Sequence, residues 1–192
     1  MKSTEDKWIK KWKDNESHFQ SKKDNFESIV KYLGEPPKRM LEIGCGLAYE
    51  SEMFYKEYGT EIWLLDGDYS NERGGSDVNW NPNVDKFKFY SKVDDLKKSY
   101  DIRGMKYTFV DANDIKIPAD VKFDLICSFK SCGFHYPATT YKDLVKKHSD
   151  DNTKVIFDIR TGGGAVPREK KIKVVEILSG EKKCHLMEIE YE

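Results

Sequence analysis

The segment from Met40 to Glu50, Met-Leu-Glu-Ile-Gly-Cys-Gly-Leu-Ala-Tyr-Glu, constrains the fold of this 192-residue chain more than any other. Apolar residues lead into an acid, and two glycines, Gly44 and Gly46, then open a segment that can form a helix. Glycine tolerates positive φ and lets a ligand reach the backbone, while the first turn of a helix presents unpaired N–H groups. The pattern predicts a strand, a tight turn and a helix that together hold a nucleotide-like ligand.

The dinucleotide fingerprint Gly-x-Gly-x-x-Gly is incomplete here, because Tyr49 stands where the third glycine is needed. A bulky side chain at that position opposes the close approach of a pyrophosphate. With Glu42 two residues before the first glycine, Leu-Glu-Ile-Gly-Cys-Gly-Leu-Ala resembles the first motif of class I methyltransferases that use S-adenosylmethionine (SAM). Ala48 replaces the usual third glycine of that family. The resemblance implies SAM as the cofactor and the following contacts to it: Glu42, Gly44, Cys45 and Gly46. An ordinary strand-to-helix turn and a nicotinamide site remain alternatives.

A second acid follows the next predicted strand. The nearly continuous apolar run Glu61–Leu65 is typical of a strand buried in a parallel sheet, and it ends at Asp66-Gly67-Asp68. An acid about 20 residues beyond a glycine turn is placed to accept both ribose hydroxyls of a nucleotide. We predict that Asp66, with Gly67 beside it, binds the cofactor, and Asp68 is the second candidate.

A third predicted strand, Lys106–Val110, ends in another acid. The resemblance places Asp111 and Ala112 against the adenine amine of the cofactor. A simple strand-end turn is the alternative.

The segment Lys122–Ser128 resembles the fourth methyltransferase strand, in which an aspartate precedes apolar residues. The resemblance places the residues after this strand near the transferred methyl, and it adds Ser128 to the cofactor contacts. Methyl transfer from a sulfonium mainly requires alignment of the nucleophile, and an alcohol acceptor must also lose its proton. His135 falls where this pocket is expected to open, and imidazole titrates near neutrality. We therefore predict His135 as the base, with three positioning residues: Lys130, Ser131 and Tyr136.

The acceptor is constrained only in part. The string Ser-x-x-Ser-x-Gly-Phe-His-Tyr-Pro resembles sugar O-methyltransferases, whereas the Asn/Asp-Pro-Pro-aromatic motif of DNA amino-group methyltransferases is absent. Arg160 and Arg168 flank a glycine triplet and are candidates for holding an anionic or sugar substrate, or are simply surface arginines. Asp158 ends the fifth predicted strand without an evident second set of ligands, so no metal is predicted.

The remaining pattern completes a fold. The predicted helices are Ala48–Tyr58, Ser91–Tyr100 and Thr139–His148. Thr153–Arg160 is the fifth strand, and Lys171–Leu178 and Lys183–Glu190 form a β-hairpin around Ser179-Gly180. We predict an α/β, Rossmann-like class I methyltransferase fold, with a mostly parallel seven-stranded sheet and a C-terminal antiparallel hairpin. The helix between strands five and six is very short, so one flank of the sheet is either thinly covered or buried in a homodimer.

Two regions lie outside this core, residues 1–38 and residues 69–90. The core and these two regions together form one predicted domain, residues 1–192. Residues 1–38 form a helical cap, because apolar residues in Thr4–Leu33 recur at helical spacings, with a break near Asn15. This cap either covers the sheet or roofs the acceptor pocket, with three candidate contacts: Trp8, Trp12 and His18. Residues 69–90 are rich in turn formers and are predicted to be an insertion that acts as a lid or binds substrate.

Composition excludes several partners. A formal net charge of -1 with 35% charged residues provides no overall field for nucleic acid. The four cysteines have neither zinc-site nor disulfide-framework spacing, which favours reduced thiols in the cytoplasm. No apolar run reaches the ~20 residues of a membrane span. We predict a cytoplasmic enzyme that acts on a small molecule or sugar without a nucleic-acid or membrane partner.

Two other functions remain open. A nicotinamide-dependent oxidoreductase would share the glycine turn, although Tyr49 and the terminal hairpin count against it. A catalytically silent protein of the same fold would act as a binding partner.

Overall fold

The structure, a computed structural model, describes residues 16–68, 91–161, 167, 169–181 and 184–192, with side chains from residue 19 onward. Four α-helices are described: α1 (Glu16–Leu33), α2 (Tyr49–Tyr58), α3 (Val93–Ile102) and α4 (Lys142–His148). A 3₁₀ helix (Ala138–Tyr141) precedes α4. The strands are β1 (Arg39–Ile43), β2 (Glu61–Asp66), β3 (Thr108–Asp111), β4 (Leu125–Ser128), β5 (Ser131–Tyr136), β6 (Lys154–Arg160), β7 (Ile172–Glu181) and β8 (Cys184–Tyr191).

Seven of these strands form one sheet in the order β3-β2-β1-β4-β6-β8-β7. Five neighbouring strands are parallel to one another: β3, β2, β1, β4 and β6. Strand β8 runs antiparallel to both β6 and β7. The last strand is therefore inserted between β6 and β7, which confirms the predicted parallel sheet with a terminal antiparallel hairpin. The strand order reverses between β1 and β4, and ligands of open α/β sheets bind at the carboxyl ends of the strands beside such a reversal.

The central strands are buried on both faces, which explains their apolar runs. Side chains alternate between the faces, so that Met40 packs in the cluster under α1, α2 and α3, and Leu41 in the cluster under α4. By the same alternation Glu42 shares the face of Met40. An acid is thereby placed under three helices at the carboxyl end of β1.

Helix α1 covers one face of the sheet. Its Phe26 and Ile29 are buried, and the Phe26 ring packs edge-on against Phe54 of α2, with ring centroids 4.8 Å apart. The described part of the predicted N-terminal helix therefore ends at Leu33, as expected, and contacts the sheet. Within the described residues, no helix combines the length and the hydrophobicity that crossing a bilayer requires.

Several predicted boundaries differ from the structure, and two of these differences involve specific contacts. The fourth strand begins at Leu125 instead of Lys122, and the Asp124 carboxylate just before it accepts the backbone N–H groups of Lys38 and Arg39, each at 2.8 Å. The hairpin turn was predicted at Ser179-Gly180, but both residues belong to β7. Gly180 provides space there, since a Cβ atom on it would lie 2.1 Å from the His185 ring.

Candidate functional site

The turn between β1 and α2 has the backbone that its glycines predict. Gly44 and Gly46 have φ values of +68° and +48°. A Cβ atom on Gly44 would lie 1.9 Å from Ser131 Oγ, whereas a Cβ atom on Gly46 would meet no atom of the described residues within 4 Å. Gly44 is thus required by the close approach of β5, and Gly46 leaves an open surface on the turn for a ligand.

Ala48, which replaces the third glycine of the motif, also has a left-handed backbone, with φ 50° and ψ 43°. A side chain in this region costs roughly 1–2 kcal/mol. Alanine in place of glycine at position 48 therefore strains the backbone, in addition to adding a side chain.

Asp66, at the end of β2, is bonded directly to the glycine turn. Its Oδ2 accepts the Gly46 N–H and its Oδ1 accepts the Gly67 N–H, each at 2.8 Å. Burial raises the pKa of Asp66, and these two backbone N–H groups partly offset the rise. Each carboxylate oxygen has a second lone pair, so the side chain can still accept hydroxyls while it holds the turn.

Glu42 lies behind the turn and is only 2% exposed. Its carboxylate accepts a hydrogen bond from Ser51 in the first turn of α2. Burial, together with the neighbouring charge of Glu50, raises the pKa of Glu42 from 4.5 to about 8. Sequence reasoning selected Glu42 but gave no sign of its buried acidic neighbour.

Tyr100 and Arg103 of the α3 region hold the other side of the turn. The Tyr100 hydroxyl donates to the Gly46 carbonyl, and the Arg103 guanidinium donates to the Leu47 carbonyl. Arg103 also lies 4.7 Å from the centroid of the Tyr49 ring. The sequence analysis missed both residues, because their role depends on how α3 packs, and no local motif marks it.

Asp111, the last residue of β3, lies beside Asp66, since the two residues pair in the parallel register. Asp111 is exposed, and its Oδ1 accepts the Asn113 N–H at 2.8 Å. The Ala112 N–H donates to the Asp66 carbonyl at 2.9 Å. The structure therefore brings both predicted adenine contacts to the edge that carries the glycine turn.

Ser128 makes contacts that its position in the sequence did not indicate. It is fully buried, donates to the Ile43 carbonyl at 2.8 Å, and accepts the Cys132 N–H at 2.9 Å. Its hydroxyl therefore ties the end of β1 to the start of β5. The cofactor contact of Ser128 stays a prediction.

The segment after β4 turns sharply at Lys130, whose φ is +53°, and then forms β5. The Lys130 N–H donates to Asp158 Oδ2 at 3.0 Å. Burial raises the pKa of Asp158 to about 6, and the charge of Lys22 partly offsets the rise. Asp158 thus fixes the backbone at the predicted positioning residue.

His135 and Tyr136 lie at the far end of β5, and His135 is about 13 Å along the strand from Ser131 at a rise of ~3.3 Å per residue. Successive side chains of a strand point to opposite faces, so His135 and Tyr136 do not face the same space. Burial and the nearby Arg160 lower the pKa of His135. An unprotonated imidazole at neutral pH is the state that a general base requires.

Several predicted acceptor contacts cannot be placed. Trp8, Trp12, Arg168 and the insertion 69–90 lie outside the described residues, as does the side chain of His18. The predicted cap and lid therefore stay predictions.

The sheet order and the glycine turn define the class: the chain has the Rossmann-like fold of class I methyltransferases. Among solved structures, it resembles the ribosomal protein L11 methylase from Lactobacillus delbrueckii subsp. bulgaricus, with 15% identity over 91% of this chain and 80% of that chain, and a TM-score of 0.55. A protein from Pyrococcus horikoshii OT3 is 12% identical over 93% of each chain, with a TM-score of 0.59.

A further neighbour is the plantazolicin methyltransferase, solved in complex with SAH (S-adenosylhomocysteine) and a triazolic plantazolicin analogue. It is 15% identical over 81% of this chain and 52% of that chain, with a TM-score of 0.55. No protein-family model matches the sequence, and no curated protein matches it. At these identities the likeness shows the fold alone.

Proposed function

We propose that this protein is a SAM-dependent methyltransferase, directed to an oxygen atom of a small molecule or sugar. The observation that carries the proposal is the open face of Gly46 at the strand reversal, with Asp66 bonded to the same turn. We propose that the glycine turn and two strand ends hold the cofactor, through these residues: Glu42, Gly44, Cys45, Asp66, Asp111 and Ala112. The neighbours that carry SAH are consistent with this cofactor.

Residue 49 separates this proposal from a nicotinamide site. The Tyr49 ring packs beneath Arg103, with the ring centroid 4.7 Å from the guanidinium, at the position where a dinucleotide site needs glycine.

SAM, when bound, supplies an activated methyl group, so the protein has to align the acceptor and remove its proton. We propose that His135 accepts this proton and that Lys130 positions the acceptor, with no metal in the reaction. Tyr136 points to the opposite face of β5, so it is not proposed to position the same acceptor. Arg160 lies 4.6 Å from the centroid of the Phe134 ring, next to His135, and so places a cation at the same end of β5. A cytoplasmic location is part of the same proposal.

Calorimetric titration with SAH, alongside NAD, tests the proposed cofactor. We expect micromolar affinity for SAH and no measurable heat of binding for NAD. Binding of NAD alone would favour an oxidoreductase. Binding of neither ligand would mean that the turn is only structural, and the methyltransferase proposal would be abandoned.

The proposed base can be tested without knowing the acceptor. Burial and Arg160 keep the pKa of His135 below 6.5, so its ring resonances should titrate below that value by NMR, with His135→Gln used to assign them. Arg160→Gln should move the titration upward, because a nearby cation has been removed. A midpoint at or above 6.5 in the wild type would contradict the assignment.

Turnover separates an enzyme from a silent binding protein. Against a panel of sugars and small alcohols, His135→Gln should lower the rate by 10²–10⁴-fold while leaving SAH affinity unchanged. SAH binding without turnover on any acceptor, and with no effect of His135→Gln, would favour the silent protein.

A further inference from the structure

Lys22 of α1 is a buried lysine on the apolar side of its helix. Its side chain is 10% exposed, and it lies one helical turn before Phe26, which is also buried. Burying an ammonium is costly unless it is paired. Its Nζ donates to Glu50 Oε1 at 2.7 Å, and Glu50 is itself only 1% exposed.

The partners of Lys22 belong to the two elements that form the proposed site. Glu50 lies in the first turn of α2, directly before Ser51, which bonds to Glu42. The Lys22 ammonium also lies 5.7 Å from the centroid of the Phe129 ring, and Phe129 directly follows β4. Lys22 therefore joins α1 to the start of α2 and to the end of β4.

The charge balance explains why a cation is needed there. Glu42, Glu50 and Asp158 lie around Lys22, and Asn25 of α1 adds a hydrogen bond to Glu50 at 3.3 Å. Burial lowers the pKa of Lys22, but the carboxylates more than offset this and raise its pKa above the ordinary value. Without Lys22, Glu50 would be a buried carboxylate whose remaining hydrogen bond, among the described residues, comes from the Asn25 amide.

We propose that Lys22 is a positioning residue of the cofactor site: by pairing with Glu50 it fixes the first turn of α2, and with it the glycine turn and Glu42. The inference rests on the proposed cofactor and deepens it, because it makes the N-terminal helix part of the binding site. Lys22 acts through Glu50 and need not touch the ligand.

Tyr32 of the same helix provides a matched control. Its hydroxyl donates to Glu188 of β8, at the other end of α1 and away from the glycine turn. Tyr32→Phe removes one hydrogen bond that holds α1 to the sheet, while the Lys22–Glu50 pair stays intact. A loss caused only by loosening α1 would appear in both variants.

The test combines SAH titration with hydrogen exchange. We expect Lys22→Met to weaken SAH binding at least tenfold, Tyr32→Phe to change it less than twofold, and the double variant Lys22→Met/Glu50→Gln to bind as weakly as Lys22→Met, since both variants lack the pair. Unchanged SAH affinity in Lys22→Met would overturn the inference. Equal losses in Lys22→Met and Tyr32→Phe would also overturn it, and so would full recovery in the double variant, because the loss would then come from the unpaired charge of Glu50 alone.

Hydrogen exchange tests positioning in the ligand-free protein. Backbone amides of residues 47–53 should exchange at least tenfold faster in Lys22→Met and in the double variant than in the wild type, and at the wild-type rate in Tyr32→Phe. Unchanged exchange in Lys22→Met refutes the positioning role. If the wild type binds no SAH, the cofactor proposal fails, and this exchange pattern still decides whether Lys22 fixes the turn.

Discussion

Replacing Asp66 with alanine should lower the affinity for SAH ten- to a hundredfold, as measured by calorimetry. A carboxylate bonded to hydroxyls contributes roughly 1.5–3 kcal/mol, and this term is lost in the variant. The structure adds a second reason, because the Gly46 and Gly67 N–H groups both lose their acceptor. The free energy of unfolding should therefore fall as well, by about 1–3 kcal/mol.

Asp68 provides the control for this prediction, since it was the second candidate for the ribose. Its carboxylate accepts the Val93 N–H at 3.1 Å, at the start of α3. Asp68→Ala should leave SAH affinity within twofold of the wild type. The opposite pattern, with a large loss for Asp68→Ala and none for Asp66→Ala, would transfer the ribose contact to Asp68.

Replacing Glu42 with glutamine should stabilise the ligand-free protein at pH 8.5 by roughly 1–4 kcal/mol. The pKa of Glu42 is about 8 in the folded protein and 4.5 as the ordinary value, so the folded state binds the extra proton between these limits. Stability of the wild type therefore falls as the pH rises from about 4.5 to 8. Glutamine keeps the shape of the protonated acid and removes this titration.

Urea unfolding at pH 5.5 and pH 8.5 measures the effect. The advantage of Glu42→Gln should be large at pH 8.5 and small at pH 5.5. Glu61 serves as a comparison in which the change in stability has the opposite sign, because the bond to Arg39 lowers the pKa of Glu61. Glu61→Gln should therefore destabilise the protein slightly, since the pair is largely exposed. A stability difference for Glu42→Gln that does not change with pH would contradict the assignment.

The expected stabilisation by Glu42→Gln bears on the role of Glu42 in the proposed cofactor site. A buried acid that costs stability when ionised is the kind of group that proteins keep at functional sites. If Glu42 contributes to the cofactor site, Glu42→Gln should bind SAM more weakly although the protein is more stable. The same titrations with SAM measure this trade-off.

Much of the site could be predicted from local patterns. The strand that ends at Ile43, the glycine turn and Asp66 were all found from runs of apolar residues and the residue types at their ends. These signals are local, because the hydrophobic period and the glycine requirement act within a few residues. The terminal hairpin was found in the same way, apart from the position of its turn.

Local patterns did not show the contacts of residues whose neighbours are distant. Ser128 was selected as a cofactor contact, which stays a prediction, and nothing local indicated that its hydroxyl bonds to Ile43, 85 residues away in the chain. Gly180 was interpreted as a turn residue, but it makes room for the His185 ring in a strand. In both cases the residue type was informative, and only the packed structure shows which neighbour it serves.

The sequence by itself determined the order of the seven sheet strands and of the helices, the parallel sheet with its hairpin, and the acids and glycines at the strand ends, but not the strand β5. Tertiary structure alone decided which side chains hold the glycine turn: Tyr100 lies 54 residues from Gly46, and Lys22 lies 28 residues from Glu50. The physical reason is that a buried charge or hydroxyl is stabilised by the partner that packing brings to it. That partner is set by how whole elements pack, which no local period encodes.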